Sequence, residues 1–105
     1  MAIKPSVLSD DEIRAVLAEP DGPRWELLGG KLVTSVTCAD FVHALALVTE
    51  VGRLAEEANH HPDIDIRYNR VTMALVTHDS GGITRLDVDL ARAIDGVRPA
   101  GPGTD

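Results

Sequence analysis

The groups in this 105-residue chain suited to proton, metal or nucleophilic chemistry are four histidines, seventeen acidic residues and one cysteine. His60, His61 and His78 are the candidates that could converge. An imidazole with a pKa of about 6.5 can give or take a proton at neutral pH. Glu56 lies four residues before His60, a spacing that puts both on one helix face, where a carboxylate would orient the ring. His60 would sit just past a helix C-terminus, whose dipole favours a cation. Three histidines and a carboxylate could also hold zinc at ~2.0–2.2 Å, although the adjacent His60 and His61 point in different directions. His-His-Pro alone also fits a plain surface loop. Asp87 fits a capping carboxylate at the start of the last helix as well as a site residue, and it can be both.

The other reactive types read more blandly. Tyr68 fits packing better than chemistry. Trp25 fits a core position or a partly exposed platform equally well. His43 lies in a helix away from the cluster and reads as a surface residue. Cys38 reads as a small core residue. Gly81-Gly82 lacks both the spacing and the lysine of a phosphate loop.

These residues must be placed by a short series of elements. Ser9 and Glu12 form a capping-box pattern, and Ile13, Val16 and Leu17 follow at helical spacing until Pro20-Asp21-Gly22-Pro23 stops the helix. Trp25–Leu28 and Lys31–Thr37 read as strands joined by a Gly29-Gly30 hairpin turn. A long helix starts near Cys38–Asp40 and runs to about Ala58. Phe41, Leu45, Val48, Gly52 and Ala55 form its core stripe, widened by Ala44, Leu47, Val51 and Leu54. Gly52 suggests a close backbone contact. Pro62 keeps His61 extended.

Ile64, Ile66 and Tyr68 then alternate with polar residues, as do Val71, Met73 and Leu75. A two-residue turn at Asn69-Arg70 would pair Ile64 with Leu75, Ile66 with Met73, Tyr68 with Val71 and His61 with His78. Thr84 and Asp87 start the last helix, and Gly96 can cap it. Residues 1–97 are read as one domain and 98–105 as a disordered Pro/Gly-rich tail. The order helix, two strands, helix, two strands, helix predicts an α+β fold with a four-stranded, mainly antiparallel sheet.

Composition bounds the function. Ten Lys and Arg against seventeen Asp and Glu leave a net charge of −7, which argues against direct nucleic-acid binding. The single cysteine excludes an internal disulfide and a cysteine-based zinc site. Neither a signal peptide nor a membrane span is legible, so a cytoplasmic protein is expected.

The run Glu56, His60-His61-Pro62, Tyr68, His78, Asp87, together with Tyr68-Asn69-Arg70-Val71, Thr77-His78-Asp79 and Leu90-Ala91, resembles the pterin-4a-carbinolamine dehydratase family. Residues 40–95 carry the resemblance best. It implies an enzyme that dehydrates 4a-hydroxytetrahydropterin to quinonoid dihydropterin in the recycling of the pterin used by aromatic amino-acid hydroxylases. It implies no metal, no bound cofactor, three helices on one face of the sheet, and a homodimer or homotetramer. By motif position, His60 and His78 would be the acid/base pair. His61 would hydrogen-bond the substrate, Glu56 would orient His60, Asp87 would hold the site, and Tyr68 would bind or orient substrate. The family usually has several phenylalanines where Leu32–Val48 keeps only Phe41, a departure that bears on packing and the oligomer interface. The alternative is a non-enzymatic relative serving as an interaction or assembly module.

Overall fold

The computed structural model describes residues 4–99. In chain order the elements are α1 (Asp10–Leu17), β1 (Glu26–Leu28), β2 (Lys31–Thr37), α2 (Phe41–Ala58), β3 (Asp63–Arg67), β4 (Arg70–Leu75), a 3₁₀ turn (His78–Ser80) and α3 (Arg85–Asp95). The strands form one antiparallel sheet in the order β1-β2-β4-β3. This is the expected α+β arrangement, with the helices on one face. No helix among the described residues is long and apolar enough to cross a membrane.

Local chemistry explains most boundaries. Ser9 N–H donates to Glu12 Oε1 at 2.8 Å and Glu12 N–H to Ser9 Oγ at 3.1 Å, the reciprocal capping box that starts α1. Gly29 and Gly30 take φ of 58° and 78° in the β1–β2 turn, where two positive values suit a tight hairpin. The period-2 alternation sends Leu32, Val36, Val71, Met73 and Leu75 to the helix side, where all are buried with Ile13, Leu47, Val51, Leu90 and Ile94. Each such side chain contributes roughly 1.5–3 kcal/mol by leaving water. Trp25 belongs to this core, and its indole N–H donates to Asp95 at 2.8 Å.

Three expectations are corrected. First, α2 buries Ala44, Leu47, Val51 and Ala55, while Phe41 and Leu45 stay 44% and 45% exposed. At 100° per residue this is about a quarter-turn from the expected stripe. Apolar residues span a broad arc of α2, and only one side of it meets the sheet and α3. Gly52 makes no close approach among the described residues, since a Cβ there would meet nothing within 4 Å.

Second, the β3–β4 hairpin is shifted by two residues. Ile64 pairs with Met73 and Ile66 with Val71, so the turn is Tyr68-Asn69. Cys38 N–H donates to the Asn69 carbonyl at 2.7 Å, and Asn69 Nδ2 donates to the Cys38 carbonyl at 3.0 Å. These bonds dock the turn on the end of β2, whose own register pairs Val36 with Val71. Tyr68 takes φ of 50°, which costs a non-glycine residue roughly 1–2 kcal/mol. A two-residue shift keeps every side chain on its face, so the isoleucines still face the helix side.

Third, Arg98 does not begin a loose tail. Its guanidinium donates to Thr34 Oγ1 at 2.9 Å and to Asp95 Oδ1 at 3.3 Å. The remainder of the expected tail, from residue 100, lies outside the described residues.

Asp40 caps α2. The His43 backbone N–H, and after it the His43 ring, hold its carboxyl below the usual carboxylate range. A depressed folded value means that this stabilisation is complete above the ordinary pKa of about 3.9 and is lost as pH falls through the folded value. Asp40→Asn is therefore expected to flatten the fall of Tm with acidification below about pH 4. Thermal unfolding at a series of pH values checks it.

Candidate active site

Two local devices split the adjacent histidines. Asn59 ends α2 in the left-handed conformation, with φ of 50°. His60 N–H then donates back to the Ala55 carbonyl at 3.1 Å, as in a Schellman cap. Asparagine tolerates this conformation better than most residues. Pro62 favours an extended backbone at His61. The outcome is that the His60 side chain is 11% exposed and that of His61 is 56% exposed.

Each has its own carboxylate. His60 Nε2 lies 2.5 Å from Asp87 Oδ1, and His61 Nε2 lies 2.6 Å from Glu56 Oε2. Glu56 therefore serves His61, not His60 as the i, i+4 argument expects. That spacing rule applies inside a helix, and His60 lies beyond the left-handed Asn59. The exposed Glu56–His61 pair is worth about 0–1 kcal/mol.

Asp87 is fully buried. It fills the N3 position of α3, where its Oδ2 accepts the Thr84 N–H at 2.9 Å, completing a capping box. Oδ2 also accepts the Thr77 hydroxyl at 2.8 Å. With Asp87 ionised, each of these groups is a donor to it and His60 Nε2 carries the proton. The ring nitrogen left for chemistry is Nδ1. Asp87 is thus both cap and site residue.

His78 arrives differently. β4 ends at Leu75, so the expected strand pairing of His61 with His78 does not form, and His78 opens the 3₁₀ turn instead. It is exposed, and its ring has no hydrogen-bond partner among the described residues. The three histidines nonetheless converge. Together with Asn59, Val76 and Thr77 they line a cleft of about 230 Å³. On its other side His60 also lines an apolar groove of about 380 Å³ bounded by Leu54, Leu86 and Leu90.

The remaining candidates lie elsewhere. Tyr68 is 66% exposed in the turn at the far end of the hairpin, about five residues or ~17 Å along the strands from the cleft, so it neither packs nor reaches the histidines of this chain. His43 is exposed, with Nδ1 2.6 Å from Asp40 Oδ1. Cys38 is buried, and burial, assisted by the charge of Asp40, pushes its thiol up. No group of three or more His, Cys, Asp or Glu among the described residues is arranged to hold a metal ion. Thr77 entered the sequence reading only within the Thr77-His78-Asp79 run and was given no role there. Its one signal is its place beside His78, with the Thr84–Asp87 capping pair downstream.

The model of the pterin 4 alpha carbinolamine dehydratase family matches residues 6–97. The chain belongs to this family. A relative from Chloroflexus aurantiacus, named provisionally as a pterin-4-alpha-carbinolamine dehydratase, is 52% identical over 90 residues, covering 86% of this chain and 95% of its own. One from Mycobacterium avium, named in the same way, is 48% identical over 92 residues, covering 88% and 96%. A transcriptional coactivator/pterin dehydratase from Brucella melitensis superposes with a TM-score of 0.80 at 28% identity, over 90% of this chain and all of its own. The same fold occurs in a pterin dehydratase-like protein identified as a RuBisCO assembly factor in the alpha-carboxysome, with a TM-score of 0.52 at 20% identity over 70% of this chain and 89% of its own.

The Asp87 geometry makes a stability prediction that shape alone would not. Asn fills the same space but carries no charge, and with its oxygen on the threonine donors its amide nitrogen faces His60 Nε2, which can then only accept. Asp87→Asn is expected to lose about 2 kcal/mol by replacing charge-assisted hydrogen bonds with neutral ones. Denaturant unfolding of wild type and variant measures it.

Proposed function

We propose that the chain is a cytoplasmic 4a-hydroxytetrahydropterin dehydratase, working by histidine acid/base catalysis without a metal or cofactor of its own. The observation that carries this is the convergence of His60, His61 and His78 on one cleft, with His60 clamped by a buried carboxylate. Family membership supplies the substrate class.

The reaction asks for two proton transfers. As the C4a–O bond breaks, its electron pair leaves with oxygen, which needs a proton to depart as water. The N5 lone pair closes the C=N bond, and the N5 proton must be taken away. His60, held as the Nε2–H tautomer by Asp87, offers the Nδ1 lone pair and is assigned the base. His78, exposed and able to exchange protons with water, is assigned the acid. His61, steadied by Glu56, hydrogen-bonds the pterin. Each proton transfer contributes typically 10²–10⁴-fold. Asp87 positions His60. Tyr68 is given no part in the chemistry of its own protomer. An aromatic amino-acid hydroxylase is the kind of enzyme that would supply the carbinolamine.

A homodimer or homotetramer is part of the same reading. Phe41, Val42 and Leu45 give α2 an exposed apolar side, the kind of surface that marks an interface. Gly52 adds a point where another backbone could approach closely.

Dehydration of freshly generated 4a-hydroxytetrahydropterin, with the spontaneous rate subtracted, tests the activity. Wild type should accelerate it, and His60→Ala and His78→Ala should each lose roughly 10²–10⁴-fold of the catalysed rate. A folded wild type that binds pterin without turnover would point instead to an interaction module, and full turnover by both variants would sink the assignment. Light scattering after size exclusion tests the assembly: wild type should be oligomeric, and Leu45→Glu should shift it toward monomer.

A further inference from the structure

Thr77 is buried and polar, and the mechanism above leaves it unused. Its hydroxyl donates to Asp87 Oδ2 at 2.8 Å and lies 2.8 Å from the Thr84 hydroxyl. A threonine has one hydroxyl proton to give. With that proton on Asp87, Thr84 must donate to Thr77. The Thr84 oxygen in turn accepts the Leu86 N–H at 3.2 Å. The donors therefore run one way, from the first turn of α3 through two hydroxyls to Oδ2 of Asp87. Oδ2 also takes the Thr84 N–H, which leaves Oδ1 to hold His60.

The backbone of the same residue builds the turn that carries His78. The Thr77 carbonyl accepts the N–H groups of Ser80, Gly81 and Gly82 at 3.1, 3.0 and 3.3 Å. The Thr77 N–H donates to the Gly82 carbonyl at 3.0 Å. Among the described residues the His78 ring has no hydrogen-bond partner to steady it, so its placement comes from this turn. The main chain of Thr77 thus places one imidazole, and its side chain, acting through Asp87, places the other.

We infer that Thr77 is a positioning residue that registers His60 against His78, and that its hydroxyl, not its bulk, is what orients His60. The inference rests on the acid/base reading of these two histidines. Valine has nearly the shape of threonine without the hydroxyl, whereas serine keeps the hydroxyl and drops the methyl. Thr77→Val and Thr77→Ser therefore separate hydrogen bonding from packing.

Imidazole ¹H–¹⁵N correlation spectra of wild type and both variants provide the test, with turnover measured alongside. Wild type and Thr77→Ser should show His60 as the Nε2–H tautomer with a slowly exchanging proton. Thr77→Val should lose the slow exchange and mix tautomers. Its kcat should fall on the order of 10–100-fold while KM stays within about twofold, because misplacement affects the chemical step most. A folded Thr77→Val that keeps the wild-type His60 spectrum would overturn the inference. Should that variant not fold, wild type decides by itself. A Thr77 hydroxyl proton in slow exchange with water supports the bond to Asp87, and one exchanging as fast as that of the exposed Thr37 overturns it. These spectra need no turnover, so an inactive wild type would remove the dehydratase reading while leaving the role of Thr77 to be decided by the spectra.

Discussion

The carboxylate of Asp87 is the constraint on which both the last helix and the candidate site depend. The N-terminus of a helix leaves backbone N–H groups without partners, and an acidic residue at N3 answers one of them. Here that group is fully buried, so it must be satisfied by more than one donor or it would destabilise the fold. Thr84 and Thr77 satisfy one oxygen and His60 the other. The imidazole is consequently held by the interaction that starts α3. Helix α3 and the orientation of His60 form together.

The second constraint is the way α2 ends. Had the helix continued through Asn59, His60 would lie over Glu56 on the outer surface. The left-handed Asn59 redirects the chain, and the ring is taken up by the start of α3. Pro62 then favours an extended His61, leaving that side chain to the exposed Glu56. Two identical neighbouring residues thereby acquire opposite environments. The geometry of a four-residue stretch, Asn59 to Pro62, sends the two rings to different carboxylates.

Much of this was legible in the sequence because the signals were local. The Ser9–Glu12 and Thr84–Asp87 boxes, the Gly29-Gly30 turn and the bounds of β2 each depend on a few adjacent residues. The misses arise from competition between local preference and tertiary contact, or from a helix end the pattern does not show. A tyrosine in a left-handed turn runs against its own propensity, and it is accepted because Asn69 docks on Cys38 and β2 sets the register of β4. The apolar arc of α2 is too broad for its pattern to show which side meets the sheet. The partner of Glu56 could not be read from i, i+4 spacing, because the helix stops between the two residues. The three histidines that line the cleft stood out in the sequence, but the contacts of Thr77 did not. A threonine beside a histidine carries no signal until the fold brings Asp87 and Thr84 to it.

The asymmetry of the cleft matches what a dehydration requires. A base that removes a proton in step with C=N formation must be aligned within a few tenths of an ångström, which favours a ring clamped at one nitrogen and shielded from water. An acid must recover its proton from solvent before the next cycle, which favours exposure. His60 and His78 occupy these two environments. One residue, Thr77, is bonded to the clamp of the first and sits in the chain directly before the second. Rigidity on one side and solvent access on the other are hard to obtain from side chains that share one element. Here a buried helix cap faces an exposed tight turn, and the pair provides both.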